Sequence, residues 1–282
     1  PEDPPLTAAQ AHAVRLALTA PISVLTGLPG TGKTTAVRAV VRRARARGER
    51  VRLMAPTGKA AKRLAEVAGA EATTIHRAVG WRTGETGPLG SASGAPLAAD
   101  LVVVDEASML DVRLARHLLE ALAPGTRLWL VGDAAQLPPV GPGRVLADAI
   151  AHGGVPVVTL TTLHRQAASS PIVRLAHAVH DGRWPAVAGW REPDCAWIEA
   201  DAEGAAAAAA RVALAARERG DELQVLTAMR KGPDGVEALN AVLRDALNPG
   251  PDGWRGFRPG DRVVQTRNNR ELDVVNGEQG VV

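Results

Sequence analysis

The segment Gly27-Leu28-Pro29-Gly30-Thr31-Gly32-Lys33-Thr34 constrains the fold more than any other part of the sequence. An apolar, β-prone stretch (22–26) precedes it, and a stretch typical of a helix (35–41) follows it. A glycine-rich loop between a strand and a helix is typical of a phosphate site, because its N–H groups point inward and the helix N-terminus adds partial positive charge. This context disfavours the alternative of a chance turn. The expected phosphate-binding residues are Gly27, Pro29, Gly30, Thr31, Gly32, Lys33, Thr34 and Thr35.

This loop indicates how a nucleoside triphosphate is held. The Lys33 ammonium is expected to reach the β- and γ-phosphates, and the Thr34 hydroxyl is expected to ligate Mg²⁺. The sequence therefore predicts ATP and Mg²⁺ as cofactors, with Thr34 as one metal ligand.

Two carboxylates follow a second apolar stretch. Residues 101–104 are all apolar, as expected for a strand buried on both faces of a parallel sheet, and Asp105 and Glu106 come next. Asp105 is expected to hold the water shell of Mg²⁺, and Glu106 to polarise the attacking water. The alternative is that the pair caps the helix predicted from about residue 110 to 122.

Two further polar residues are candidates for contact with the γ-phosphate. Gln136 follows the strand predicted over 127–131, at the same edge of the sheet. Arg165 lies in the sequence Leu163-His164-Arg165-Gln166 and is a candidate arginine finger across a domain cleft. Taken alone, the segment of Gln136 is an ordinary turn, and Arg165 fits a surface arginine equally well.

A third group of residues suits contacts with a nucleic-acid backbone. Pro56-Thr57-Gly58-Lys59 connects a predicted strand to a helix at the edge where α/β sheets bind ligands, and Lys59 adds positive charge. Thr74 and His76 follow in Thr73-Thr74-Ile75-His76-Arg77, although His76 alone fits a structural histidine better. Later in the chain, Arg230 lies in a basic turn. Asn268 lies near the polar end of a strand predicted over 262–269, where a solvated loop is the equal alternative.

The order of these segments predicts two α/β domains. Four strand–loop–helix steps give a mostly parallel sheet over residues 1–154, with a small Gly/Ser/Pro-rich insertion near 80–98. Residues 155–282 form the second predicted unit, which includes a strand over 223–227. No apolar run reaches the roughly 18 residues of a membrane span. The one cysteine, Cys195, fits a reducing compartment, so we expect a cytoplasmic protein. The net charge of +3 permits nucleic-acid binding without demanding it.

Taken together, the motifs resemble those of the RecD-like branch of superfamily 1 DNA helicases. They occur in that family's order: Gln10, GLPGTGKT, APTGKAAKRL, TIHR, VVVDEAS, VGDAAQLPPV and LHRQ, followed by LTAMRKGPDGVEALN and DRVVQTRNN. The resemblance implies a P-loop NTPase (RecA-like) motor domain followed by a second, incomplete RecA-like domain that ends where a barrel-like insertion begins. It implies ATP-driven 5′-to-3′ movement on single-stranded DNA or at a single-strand/duplex junction, with repair or recombination proteins as partners.

The resemblance also implies roles for individual residues. Gln10 would read the adenine edge, whereas Gln136 and Arg165 would sense and stabilise the γ-phosphate. The insertion near 80–98 would be the place for a strand-separating pin. The residues that would line the single-strand track are Pro56, Thr57, Lys59, Thr74 and His76.

Two alternatives to a DNA motor stay open. One is a P-loop ATPase that acts on protein. The other is a nucleotide-gated module that grips single-stranded DNA without efficient turnover, because the chain stops before the last two helicase motifs of the family. The missing Met and the short stretch after Asn276-Gly277 lead us to expect a fragment of a longer protein.

Overall fold

The structure is a computed structural model that describes residues 5–80, 96–162, 170–184, 191–192, 195–266, 269, 272, 274 and 276–282. The chain divides into two compact units, Pro1–Arg183 and Trp184–Val282. Among the described residues, no helix has the length and apolarity needed to cross a membrane.

The first unit is built on a six-stranded parallel sheet with the strand order β3-β2-β4-β5-β1-β6. Strands β4, β5 and β1 are almost wholly buried, which explains their continuous apolar sequences. The strands are β1 (Ile22–Gly27), β2 (Val51–Ala55), β3 (Ala72–Thr74), β4 (Leu101–Val104), β5 (Arg127–Gly132) and β6 (Val157–Leu160).

Helices cover both faces of this sheet. One face packs against α1, α2 and α3 through a cluster that includes Val14, Val37 and Leu64. The other face packs against α4, α5 and α6 through Ile75 and Leu118, among others. The helices of this unit are α1 (Ala8–Thr19), α2 (Lys33–Ala46), α3 (Gly58–Ala68), α4 (Ile75–Ala78), α5 (Val112–Ala121), α6 (Val145–His152) and α7 (Pro171–His180).

The division between the units differs from the predicted boundary at residue 154. Strand β6 pairs with β1 in parallel, from Val24 opposite Val157 to Gly27 opposite Leu160, so it belongs to the first sheet. Gly153, next to the predicted boundary, has φ 69° and ends α6 in the left-handed conformation. The first unit consequently extends to Arg183.

In its described residues, the second unit contains two α-helices and short antiparallel strand pairs. Its elements are β7 (Arg191–Glu192), β8 (Cys195–Ala196), α8 (Ala202–Glu218), α9 (Val236–Leu247), β9 (Arg262–Val264) and β10 (Gln279–Val281). Helices α8 and α9 pack against each other, and β9 pairs with β10. The strand predicted over 223–227 is wrong, because these residues have no ladder partner; Leu226 is 85% exposed.

Candidate functional site

The glycine-rich loop lies at the C-terminal end of β1, as the sequence predicts. Gly30 and Gly32 have φ 79° and 86°, and Gly32 is the N-cap of α2, so the loop needs glycine at these turns. The Thr31 hydroxyl donates to the carbonyl oxygen of Leu28 at 2.8 Å and fixes the loop internally. At Gly27 the backbone passes so close to β6 that an added Cβ would lie 2.7 Å from the carbonyl oxygen of Leu160.

Lys33 is the cation of this loop. Its ammonium donates to the carbonyl oxygens of Gly27 at 2.5 Å and Leu28 at 3.2 Å. Burial lowers the pKa of Lys33, and the negative charges of Asp133, Glu106 and Asp105 act in the opposite direction. Because this desolvated ammonium faces carboxylates, the site suits an anion that binds together with a divalent cation.

Asp105 and Glu106 follow β4, two strands away from β1. The backbone N–H of Asp105 donates to the carbonyl oxygen of Met54 at 2.9 Å, which extends the β2–β4 ladder to this residue. Burial raises the pKa of both carboxyls, and Asp105 raises that of Glu106 further, whereas Lys33 and Arg63 lower both. Glu106 has φ 53° and ψ 38°, a left-handed conformation that costs free energy for a residue with a Cβ and often occurs at functional sites.

Asp133 is a site residue that sequence reasoning missed. It follows β5, the strand between β4 and β1, so it lies between the carboxylate pair and the glycine-rich loop. Its side chain is 3% exposed, accepts from the backbone N–H of Ala135 at 3.0 Å, and contributes to the pKa shifts of Lys33 and Glu106. The available signal was the one used for Asp105, an acidic residue directly after a buried strand.

Of the other three predicted nucleotide contacts, the structure describes two, Gln136 and Gln10. Gln136 lies in the exposed loop after β5, where its backbone N–H donates to the carbonyl oxygen of Asp133 at 3.1 Å. Gln10 is 1% exposed; it completes a capping box with Thr7, and its amide nitrogen donates to the carbonyl oxygen of Gly32 at 3.2 Å. In this structure Gln10 therefore supports the glycine-rich loop from α1. Arg165 lies outside the described residues.

The side chains at this edge fit Mg²⁺. Thr34 is exposed in the first turn of α2 and offers a hydroxyl. Asp105 offers a half-buried carboxylate whose pKa is raised by burial, and a bound cation would lower this pKa again. Within the described part of the chain, no three His, Cys, Asp or Glu side chains are grouped to hold a metal alone. Mg²⁺ is commonly bound by one or two protein ligands together with substrate phosphates and water, so this donor set suits it.

The predicted nucleic-acid contacts of the first unit lie at the ends of β2 and β3. The Thr57 hydroxyl caps α3 by accepting from the backbone N–H of Ala60 at 3.2 Å, and Lys59 is exposed in the first turn of that helix. The Thr74 hydroxyl caps α4 by accepting from the N–H of Arg77 at 3.2 Å. Pro56 and Gly58 flank Thr57 and are half-buried.

His76 lies on α4, next to these residues. Burial lowers its pKa from 6.5, Asp111 opposes this shift, and His117 adds to it. Because β2 and β3 pair in register from Leu53–Ala72 to Ala55–Thr74, the Thr57 and Thr74 segments emerge side by side from the sheet. The first unit therefore brings Thr57, Lys59, Thr74 and His76 to one edge.

Of the two DNA contacts predicted for the second unit, the structure describes only Arg230. Arg230 is exposed and lies 3.4 Å from a carboxylate oxygen of Glu237 in the first turn of α9. Asn268 lies outside the described residues, as do residues 81–95 of the insertion.

Comparison with known proteins agrees with this geometry. The AAA domain family matches residues 5–197. The chain is 45% identical over 267 residues to the ATP-dependent RecD2 DNA helicase of Deinococcus radiodurans, covering 92% of this chain and 36% of that protein. It is 36% identical over 322 residues to the RecBCD enzyme subunit RecD of Mycobacterium tuberculosis H37Rv, covering 97% of this chain and 55% of that protein. The chain thus spans about a third to a half of these relatives, and they confirm the resemblance to RecD-like proteins.

Solved structures show the same fold. A structure of Pif1 helicases on forked double-stranded DNA matches with a TM-score of 0.55 at 19% identity, covering 99% of this chain and 71% of that one. Bacteroides Pif1 bound to single-stranded DNA matches with a TM-score of 0.55 at 19% identity, covering 99% and 69% of the two chains. The parallel-sheet P-loop fold predicted from the sequence is therefore confirmed.

Proposed function

The chain belongs to the AAA domain family, and from this premise we propose that it hydrolyses ATP to drive 5′-to-3′ movement along single-stranded DNA. One observation carries the proposal. Lys33, Asp105, Glu106 and Asp133 lie together at the same edge of the sheet as the polar segments that contain Lys59 and His76. A nucleotide and a single strand of DNA that bind there contact the ends of neighbouring β-strands. A structural change at one ligand is therefore transmitted to the other through one sheet.

ATP is bound by the glycine-rich loop and the first turn of α2. The N–H groups at this helix start surround the phosphates, and Lys33 exchanges its carbonyl partners for phosphate oxygens. Thr34 and Asp105 would hold Mg²⁺, which would supply positive charge that offsets the charge of the phosphates. Gln10 keeps the loop in place through Gly32, and to read the adenine edge its amide exchanges the bonds to Thr7 and Gly32 for bonds to the base.

Hydrolysis uses the carboxylate of Glu106. Its raised pKa makes it a better base than an ordinary glutamate, and it orients the attacking water and accepts a proton from it. Gln136, on the loop after β5, contacts the γ-phosphate or this water, and Arg165 stabilises the charge that develops on the transferred group.

Single-stranded DNA is bound through its phosphates by Thr57, Lys59, Thr74 and His76 in the first unit, and by Arg230 and Asn268 in the second. The names of similar proteins support this substrate: the Deinococcus relative is a DNA helicase, and Bacteroides Pif1 was solved with single-stranded DNA. The RecBCD subunit among the relatives supports a role in repair or recombination.

The test is phosphate release by the purified chain with and without oligo(dT), together with displacement of streptavidin from biotin at either DNA end. We expect DNA to stimulate hydrolysis, and displacement to be faster from the 3′ end. Hydrolysis that is indifferent to DNA would contradict the motor and favour an ATPase that acts on protein. ATP-dependent DNA binding without phosphate release would favour the gated binding module. The same assays on the chain extended past Val282 report whether further sequence restores turnover.

A further inference from the structure

The loop that carries Gln136 is attached to the protein at two points. It runs from Gly132 at the end of β5 to Val145 at the start of α6. Near its beginning, the buried Asp133 accepts the N–H groups of Ala135 and Gln136 through its carboxylate and carbonyl oxygens. Residues 134–138 are exposed, and Leu137 is 86% exposed. The N–H of Ala134 also donates to the Thr26 hydroxyl at 3.4 Å. The position of Gln136 therefore depends both on these bonds at the start of the loop and on where its far end is held.

The far end packs against the start of α5. The N–H of Val112 donates to the carbonyl oxygen of Pro142 at 2.9 Å. A Cβ added to Gly141 would overlap Oδ2 of Asp111 and lie 2.6 Å from its Cγ. At Gly143 (φ 84°) an added Cβ would overlap the Val112 side chain. Only glycine allows the loop to approach α5 this closely.

The start of α5 is connected to Glu106 by a short hydrogen-bonded turn. A 3₁₀ turn, Ala107–Met109, joins them, with the N–H of Met109 donating to the carbonyl oxygen of Glu106 at 3.0 Å. Asp111 is the N-cap of α5 and accepts from the N–H of Leu114 at 2.7 Å. The segment that holds the far end of the loop is thus the segment that carries the proposed base.

We propose that Gly141 and Asp111 are positioning residues, whose close approach sets the distance between Gln136 and Glu106 in the ATP site. This inference rests on the proposed ATPase function and adds residues that do not themselves touch the nucleotide. A displacement of the loop misplaces Gln136 relative to the water and the γ-phosphate while the glycine-rich loop after β1 stays intact. The consequence is a loss in kcat with an unchanged KM for ATP.

A rescue experiment tests the contact. Gly141→Ala introduces the overlap with Asp111, and Gly141→Ala combined with Asp111→Gly removes it, since glycine is nearly as good an N-cap as aspartate. Gly280→Ala is the matched control, because its Cβ would meet Val263 Cγ2 at 3.9 Å, an ordinary contact. Assays use saturating oligo(dT), because Asp111 also acts on His76.

We expect Gly141→Ala to lower kcat by about 10²-fold, as small misplacements of catalytic groups do, and the double variant to recover most of it. Hydrogen exchange of the Val112 N–H is a readout independent of activity: it accelerates in Gly141→Ala and returns in the double variant. Wild-type kcat in Gly141→Ala, or no recovery in the double variant, would overturn the proposal. If the wild-type chain hydrolyses no ATP, the proposed function fails, and unaltered exchange at Val112 in Gly141→Ala would then overturn the contact itself.

Discussion

The ammonium of Lys33 lies 2.5 Å from the carbonyl oxygen of Gly27, within the loop that precedes its own helix. This bond and the 3.2 Å bond to Leu28 hold the lysine over the loop rather than in solvent. Because burial lowers the pKa of Lys33 while three carboxylates oppose the shift, the cation is partly desolvated before any phosphate binds. A desolvated donor that is already positioned loses little on binding, which is the condition for strong electrostatic stabilisation.

Lys33→Ala removes this donor. We expect DNA-stimulated phosphate release to fall by about 10²-fold or more, the usual loss for a positioned donor at a developing charge, and ATP affinity to fall as well. The control is Arg45→Ala, an exposed cation near the far end of the same helix, which should behave like wild type. Equal activity of Lys33→Ala and the control would exclude this loop as the hydrolytic site.

Glu106→Gln keeps the shape of the side chain and removes its charge. Since Glu106 is proposed to activate the water and not to hold the nucleotide, hydrolysis should fall by about 10²- to 10⁴-fold, the range for general bases, while ATP binding remains. Single-turnover hydrolysis and nucleotide binding are measured in parallel, with the exposed Glu66→Gln as control. If ATP binding is lost together with hydrolysis, Glu106 serves binding and the assignment is wrong.

The comparison of Asp105 with Asp133 shows how far the sequence predicts this site. Both follow buried strands, but only the strand order β4-β5-β1 places Asp133 between the carboxylate pair and Lys33. The glycines of the loop after β1 are a local signal in the sequence, and their positive φ angles agree with the predicted loop. The side-by-side order of parallel strands depends on contacts between residues that are far apart in the sequence, so local signals of this kind do not reveal it.

The same reason explains the differences in the fold. The sequence predicts a second unit from residue 155, which would include β6, whereas the pairing partner of β6 is β1, at the beginning of the chain. Residues 223–227 have a strand-like sequence, yet β9 and β10 pair with each other and leave this segment without a ladder. A strand needs a partner, and a single apolar run does not specify one.

Lys59→Ala tests the single-strand track. Lys59 is exposed in the first turn of α3 and is proposed to contact one phosphate. Its removal should weaken oligo(dT) binding uniformly across sequences and reduce the slope of log K against log salt by about 0.7, the value for one phosphate of a single strand. Fluorescence anisotropy over a salt series measures the slope, with Arg45→Ala as the charge-matched control. If the plot of log K against log salt is displaced in Lys59→Ala but keeps its slope, Lys59 contacts no phosphate.

His76 predicts a pH dependence of DNA binding. Burial lowers its pKa below 6.5, against the field of Asp111 and with that of His117, so the imidazole is neutral at physiological pH. A DNA phosphate favours the charged imidazole, so oligo(dT) affinity should rise as pH falls below 6.5.

The stability of the free protein should respond to pH in the opposite direction. The folded state binds fewer protons at His76 than the unfolded chain, so the stability that His76 contributes is present above pH 6.5 and is lost as pH falls through the lowered pKa. His76→Asn should flatten both trends, whereas His152→Asn, at an exposed position at the end of α6, should keep them. Anisotropy and denaturant unfolding at constant ionic strength measure the two trends. A wild-type affinity profile retained in His76→Asn would place the DNA backbone away from α4, since a phosphate within reach of the imidazole must favour its protonation.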